Sequence, residues 1–269
     1  MPVEIPGRLV ILGDPVDKSL SPKFQNAALR AAGIPLEYKA LAVKAADLAD
    51  VAKQLREESA AGNVTVPHKR SFLKCCSTLT PIAERIGAVN TFWTERGKFA
   101  GDNTDVAGFD RAARALLNDS VKKTTVAIIG AGGAAAAVLG AIESWPRARV
   151  RVNSRRESQS EKLTAGFSAF ASAESSVDGA VRGANLLVNA TPVGMNDEDA
   201  SWLLECVEPG TVIMDLVYRP GGTPLVNEAR AAGFTAVDGT AMLLEQGAMA
   251  FERWFGFRPD REAMRQSLM

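Results

Sequence analysis

With 269 residues, 46% of them hydrophobic, the chain can bury a large interior and divide into two domains of ordinary size, which excludes a disordered protein. Its 31 basic and 31 acidic residues cancel, so neither nucleic acid nor an anionic membrane surface is an expected partner; a small charged metabolite would be met by a local site. The three cysteines include no CxxC pair and read as reduced thiols in a cytoplasmic protein, while a single histidine, His68, excludes a His-rich zinc site, so no metal is expected.

Met1 to Gly7 carries Glu4 and two prolines ahead of any apolar run, unlike a signal peptide. Arg8 to Leu12 reads as a buried strand, stopped by Gly13-Asp14-Pro15. Ser21 as a cap and Pro22 in the first turn open a helix to about Ala32. Glu37 to Val43 alternates as a strand, Ala45 to Glu58 has helical apolar spacing, and Gly62 to Pro67 reads as a short strand ended by proline. Val89 to Thr94 and Lys98 to Gly101 form an expected hairpin around Arg96-Gly97, and Thr104 to Leu117 a connecting helix.

The pattern then becomes more regular. Strands are expected at Thr125–Ile129, Arg149–Asn153, Asn185–Asn189, Val212–Leu216 and Thr235–Val237. Helices are expected at Gly132–Glu143, from Glu161 onward, at Pro224–Ala232 and at Ala241–Trp254. This alternation predicts an α/β protein with a parallel sheet covered on both faces. The charge-free run Thr124 to Ile142 is long enough to invite a membrane reading, but Gly130, Gly132, Gly133 and the following alanines favour a strand turning into a helix.

That turn carries the first functional signal. In Val126-Ala-Ile-Ile-Gly130-Ala131-Gly132-Gly133-Ala134-Ala135, Gly130 permits a tight turn, Gly132 lets backbone approach a pyrophosphate, and Ala135 allows close helix packing. The next strand ends at Ser154-Arg155-Arg156-Glu157, where an adenine ribose is usually read. Arg155 and Arg156 suit the 2′-phosphate of NADP, whereas Glu157 suits the free 2′-hydroxyl of NAD, so either cofactor fits.

Three further clusters are polar. Ser19-Leu20-Ser21-Pro22 sets two hydroxyls near a helix start, a natural carboxylate receptor. Asn63 and Thr65 would share one strand face, with Lys69 just past the proline. Asn90 and Asp105 stand at strand ends, in Gly87-Ala-Val-Asn90-Thr and Gly101-Asp-Asn-Thr-Asp105. Reduction of a ketone by nicotinamide leaves an alkoxide that needs a proton donor, and Lys69 is of the right type.

In order along the chain, SLSP from Ser19, NVTVPHK ending at Lys69, GAVNTF around Asn90, GDNTD ending at Asp105, GAGGAAAA from Gly130, NATPVGM from Asn189, DLVYRPGGTPL from Asp215 and GTAMLLEQGAMAF around Gln246 resemble the shikimate dehydrogenases, the quinate/shikimate dehydrogenases included. The resemblance implies an N-terminal α/β substrate domain, 1–105 completed by a helical segment 240–269, and a Rossmann-type NAD(P)-binding domain, 106–239, with the active-site cleft between them. It implies reversible NAD- or NADP-dependent oxidation of a cyclic hydroxy-carboxylate, shikimate to 3-dehydroshikimate or quinate to 3-dehydroquinate, by a cytoplasmic monomer or homodimer. Lys69 and Asp105 would be the catalytic pair. Ser19, Ser21 and Tyr218 would hold the substrate carboxylate, and Asn63, Thr65, Asn90, Asp105 and Gln246 the ring hydroxyls. Besides the Gly130–Ala134 turn and Ser154–Glu157, the cofactor would touch Thr191, Pro192, Val193, Leu216, Gly239 and Met242. His68 would be structural or solvent-facing. Lys18, Gln25 and Ala241 depart from the usual pattern, and they are what would support the alternative, a relative that binds cofactor or ligand without turnover.

Overall fold

A computed structural model describes residues 5–195 and 199–269; the first four residues of the Met1–Gly7 segment lie outside it. The chain divides into two compact units, Met1–Gly108 with Leu243–Met269, and Phe109–Met242.

The first unit is built from Arg8–Gly13 (β1), Ser21–Ala31 (α1), Tyr38–Ala42 (β2), Leu48–Glu57 (α2), Ala60–Val64 (β3), Cys76–Leu79 (β4), Pro81–Ile86 (α3), Thr91–Glu95 (β5), Lys98–Asp102 (β6) and the start of Thr104–Leu116 (α4). Its six strands lie in the order β2-β1-β3-β5-β6-β4. β1 pairs parallel with β2 and β3, whereas β5 runs antiparallel to both β3 and β6, so this sheet is mixed and contains the hairpin expected at 89–101. The short Arg96-Gly97 hairpin is the cause, because only antiparallel neighbours can be joined by two residues. All five residues of β3 are buried, as expected of a strand covered on both faces. Phe72, Phe92 and Phe99 meet on one side of the sheet with ring centroids 4.8–5.7 Å apart. Each buried phenyl contributes about 2–3 kcal/mol of hydrophobic stabilisation.

The second unit continues through Thr125–Ile129 (β7), Gly133–Ile142 (α5), Arg149–Asn153 (β8), Glu157–Ala165 (α6), Ala171–Ala173 (β9), Val177–Val181 (α7), Leu186–Asn189 (β10), Val212–Asp215 (β11), Pro224–Ala231 (α8) and Ala236–Val237 (β12). Its sheet is wholly parallel, in the order β9-β8-β7-β10-β11-β12. That is the doubly wound Rossmann order, with its switch point where β7 lies beside β10. The helix Thr240–Phe255 (α9) leads back into the first unit, which Arg261–Gln266 (α10) completes. Among the described residues no helix is long and apolar enough to cross a membrane, and the charge-free run 124–142 divides into β7 and α5.

Several expectations shift. Ser21 is the first residue of α1 and not its cap: Leu20 holds the cap position without a side-chain bond, and Ser19 Oγ accepts the Ser21 N–H at 3.2 Å. β3 begins at Ala60, two residues early, because Ala60 and Ala61 pair with Arg8 and Leu9, and it ends at Val64 ahead of the proline that has no N–H to give. Thr65 therefore lies just beyond the strand. α6 starts at Glu157, not Glu161, since an acidic residue in the first turn suits the positive end of the helix dipole. The brief elements β4, α3, β9, α7 and α10 are too short to show a period; α3 and α7 begin at side-chain caps, Thr80 and Ser176.

Candidate active site and dinucleotide cradle

In the first unit a set of buried polar side chains gathers at the ends of β3, β5 and β6. Lys69 follows the turn after β3, and its Nζ donates to Asp105 Oδ2 at 2.6 Å. Lys69 is 19% exposed at the side chain and Asp105 7%, so the pair is shielded yet reachable on the lysine side. Asp105 stands in the first turn of α4. Its other oxygen accepts from Asn90 Nδ2 at 2.7 Å, and the same amide nitrogen lies 3.4 Å from Gln246 Oε1 on α9. Asn63, buried on β3, donates to the Asn90 carbonyl at 3.0 Å and to Thr91 Oγ1 at 2.9 Å, and accepts from the Tyr38 hydroxyl at 2.7 Å. A carboxylate held by an ammonium and an amide can orient the ammonium while its remaining lone pairs face a ligand hydroxyl.

Lys69 owes its place to its neighbours. His68 is buried, with Nε2 2.6 Å from the Val43 carbonyl, and the Lys69 carbonyl accepts from Val89 N at 2.8 Å. His68 is thus structural, and the solvent-facing alternative falls. Asp102 is a second anchor: it accepts from Thr80 Oγ1 at 2.5 Å, from Asn103 N at 2.7 Å and from Arg253 Nε at 2.8 Å, which ties the end of β6 to α9 two turns beyond Gln246. Gln25 turns inward as well, donating to the Gly247 carbonyl at 2.9 Å between α1 and α9.

Thr65 and the expected carboxylate-receptor residues Ser19 and Ser21 lie on adjoining segments. Thr65 N donates to Leu12 O at 2.8 Å, and Asp14 N to Val66 O at 3.0 Å, which sets the Thr65–Val66 turn beside the Gly13–Val16 turn that leads to Ser19 and Ser21. Ser21 is buried and Ser19 half-buried.

In the second unit, Gly130 follows β7 with φ +114°, and a Cβ there would come within 2.8 Å of the Ala190 carbonyl, so only glycine fits. Gly132 caps α5 from an extended conformation, and the space a Cβ would fill is open, with no protein atom within 4 Å. The fold itself has no need of glycine there; a pyrophosphate passing over the amides of Ala131, Gly133 and Ala134 does. Ala135 is buried in the helix–sheet contact. Ser154 Oγ donates to the Arg156 carbonyl at 2.8 Å, and Arg155, Arg156 and Glu157 are exposed at the start of α6. These features fit a dinucleotide.

Sequence reasoning missed the buried brace beneath the other cofactor residues. Asn189, at the end of β10, accepts from Thr191 Oγ1 at 2.7 Å and donates to the Val193 carbonyl at 3.2 Å, which curls the Thr191-Pro192-Val193 loop. Asn189 also donates to Asp215 Oδ1 at 2.9 Å; Val217 N and Thr223 Oγ1 donate to the same carboxylate at 3.1 and 2.7 Å. Burial pushes the Asp215 carboxyl above its ordinary range, against the pull of those hydrogen bonds. Polar ends on the apolar strands LLVN and VIMD were the signal available. Leu216 follows Asp215, Gly239 N donates to the Val217 carbonyl at 3.0 Å, Tyr218 is half-buried, and Met242 is buried in the first turn of α9. Among the described residues no three His, Cys, Asp or Glu side chains gather in a metal-binding group.

Known proteins resemble this chain. Residues 11–92 match the family model described as the shikimate dehydrogenase substrate binding domain, and residues 239–269 that of the shikimate 5'-dehydrogenase C-terminal domain. Shikimate dehydrogenase (NADP(+)) of Brucella abortus (strain S19) is 37% identical over 267 residues, 96% of this chain and 92% of that one. The chain belongs to the shikimate dehydrogenase family. Of the solved members of that family, shikimate dehydrogenase from Aquifex aeolicus is 32% identical with a TM-score of 0.90, and shikimate 5-dehydrogenase from Thermus thermophilus, in complex with NADP(H) and shikimate, is 34% identical with a TM-score of 0.85; each comparison covers 97% of both chains.

Proposed function

We propose that this shikimate dehydrogenase family member, an NAD(P)-dependent oxidoreductase acting on a CH–OH group, interconverts shikimate and 3-dehydroshikimate with Lys69 and Asp105 as its catalytic pair. The observation that carries the assignment of the pair is the 2.6 Å contact of a shielded ammonium with a carboxylate whose second oxygen is itself bonded by Asn90. When bound, a nicotinamide supplies the hydride donor or acceptor; every proton movement falls to the protein. In the reductive direction the carbonyl oxygen gathers negative charge, which Lys69 Nζ stabilises and then quenches by giving up a proton. Asp105 aims that ammonium and accepts from a neighbouring ring hydroxyl. Asn63, Thr65, Asn90 and Gln246 orient the ring, and the Ser19 and Ser21 hydroxyls receive the carboxylate. In the oxidative direction the same nitrogen takes the hydroxyl proton.

The Gly130–Ala134 turn holds the pyrophosphate, with Thr191, Pro192, Val193, Leu216, Gly239 and Met242 around the rest of the cofactor. Arg155 and Arg156 favour the 2′-phosphate of NADP, and Glu157 opposes it. The free thiols of Cys75, Cys76 and Cys206 suit the cytoplasm. The deciding experiment is kcat/KM for shikimate and for quinate with NAD and with NADP, followed at the reduced nicotinamide absorbance. The reading expects shikimate to be the better substrate with at least one cofactor; cofactor binding without turnover of either acid sinks it.

A further inference from the structure

The carboxamide of Asn63 has two donors and two acceptor sites. Both donors are used inside the protein, by the Asn90 carbonyl and by Thr91 Oγ1, and one acceptor site takes the Tyr38 hydroxyl. A flipped amide would press its oxygen against the Asn90 carbonyl, so the orientation is fixed. Thr91 Oγ1, having accepted from Asn63, has its own proton to give to Thr104 Oγ1 at 3.1 Å. Thr104 Oγ1 meets both ends of the Asn90 carboxamide, 3.2 Å from Oδ1, to which it can donate, and 3.1 Å from Nδ2, from which it can accept; that Oδ1 is already pinned by the Thr104 N–H at 2.7 Å. Asn90 Nδ2 donates to Asp105, where Lys69 also ends. With Thr91 as the donor to Thr104, the links from the Tyr38 phenol to the Asp105 carboxylate run in one direction, and bonds aligned this way polarise one another.

We infer that Tyr38 and Thr91 are positioning residues for the reaction: two enclosed hydroxyls that hold Asn63 with only an acceptor left for substrate and set Asn90 squarely on Asp105. Neither reaches a substrate itself, since Thr91 is 0% and Tyr38 1% exposed. The consequence for recognition is that Asn63 reads a hydrogen-bond donor on the ring, a hydroxyl, and rejects an acceptor such as a carbonyl in that place. The inference rests on the proposed roles of Asn63, Asn90, Asp105 and Lys69 in shikimate oxidation.

The test measures kcat and KM for shikimate and for the cofactor in the whole enzyme and in Thr91→Val, Thr91→Ser, Tyr38→Phe and the Thr91→Val/Tyr38→Phe double variant. Loss of either hydroxyl should lower kcat/KM for shikimate about tenfold while leaving the cofactor KM within about twofold. Thr91→Ser, which keeps the hydroxyl and loses only the methyl, should return to within about twofold of the unaltered enzyme. The double variant should be little worse than the poorer single one, because both cut one chain. Tyr38→Phe keeps its ring stacked on Trp254, centroids 5.7 Å apart, and carries the test alone if Thr91→Val does not fold. An active unaltered enzyme with unimpaired Tyr38→Phe, or with Thr91→Ser as poor as Thr91→Val, overturns this inference and leaves the functional reading standing. No shikimate turnover by the unaltered enzyme overturns both.

Discussion

The two units prepare for ligands in opposite ways. In the first, most of the side chains assigned to substrate are buried, and Asn63, Asn90, Asp105 and the half-buried Lys69 share one continuous network. In the second, the residues assigned to the dinucleotide offer backbone amides and exposed arginines, and the internal bonds lie one layer below, at Asn189 and Asp215. A stereospecific reaction on a small polyol needs fixed donors and acceptors, and their desolvation is offset only when they satisfy one another. A pyrophosphate needs only a helix end and the absence of a side chain.

Cutting the network at its end should have the largest effect. Lys69→Ala should lower kcat by about 10²–10⁴-fold with cofactor affinity unchanged; a loss under tenfold would remove the lysine from the chemistry. Next is the brace under the cofactor loop. Asp215→Ala leaves three donors facing no acceptor and should reduce stability by about 3 kcal/mol, read by denaturant unfolding, and raise the cofactor KM more than that for shikimate. Burial raises the Asp215 carboxyl above 3.8, so its stabilising contribution is complete below that pH and is lost as the pH climbs through the raised value; Asp215→Asn should flatten Tm against pH over that interval.

Gly132→Val tests the cradle directly. Its Cβ enters space that no atom beyond the adjoining residues claims, so the stability loss should stay near the ~1 kcal/mol that a poorer N-cap residue costs while cofactor affinity falls about tenfold or more; an unchanged affinity would move the pyrophosphate elsewhere. The smallest effect is expected at the exposed rim, where Glu157→Ser should shift the NADP to NAD ratio of kcat/KM about threefold toward NADP. If that ratio does not move, Glu157 serves the α6 dipole and does not read the ribose.

Much of this was legible beforehand where the pattern was long or chemically peculiar. β7 falls where the apolar run TVAII predicts it, and α9, α8 and β8 lie within a residue of expectation. The errors collect where local rules compete. Ser21 has the right chemistry for a cap, but Ser19 takes the amide; Glu157 reads as part of the strand end, although the helix begins on it. Tyr38, Thr91, Asn189 and Asp215 carry no role in the sequence reading because each is an unexceptional residue of a strand or a strand end, and a decisive partner lies many positions away, as with Tyr38 and Asn63.

By itself the sequence determined the α/β class, the glycine turn, the Lys69 and Asp105 candidates and the order of motifs that mark the family, since each rests on spacing within a few residues. Tertiary structure alone decided the strand order of the first sheet, that His68 is enclosed, and which way the carboxamides of Asn63 and Asn90 point. The reason is physical: a hydrogen-bond direction is set by whichever donors and acceptors the fold brings within about 3 Å, and those come from segments that the chain's local preferences leave independent.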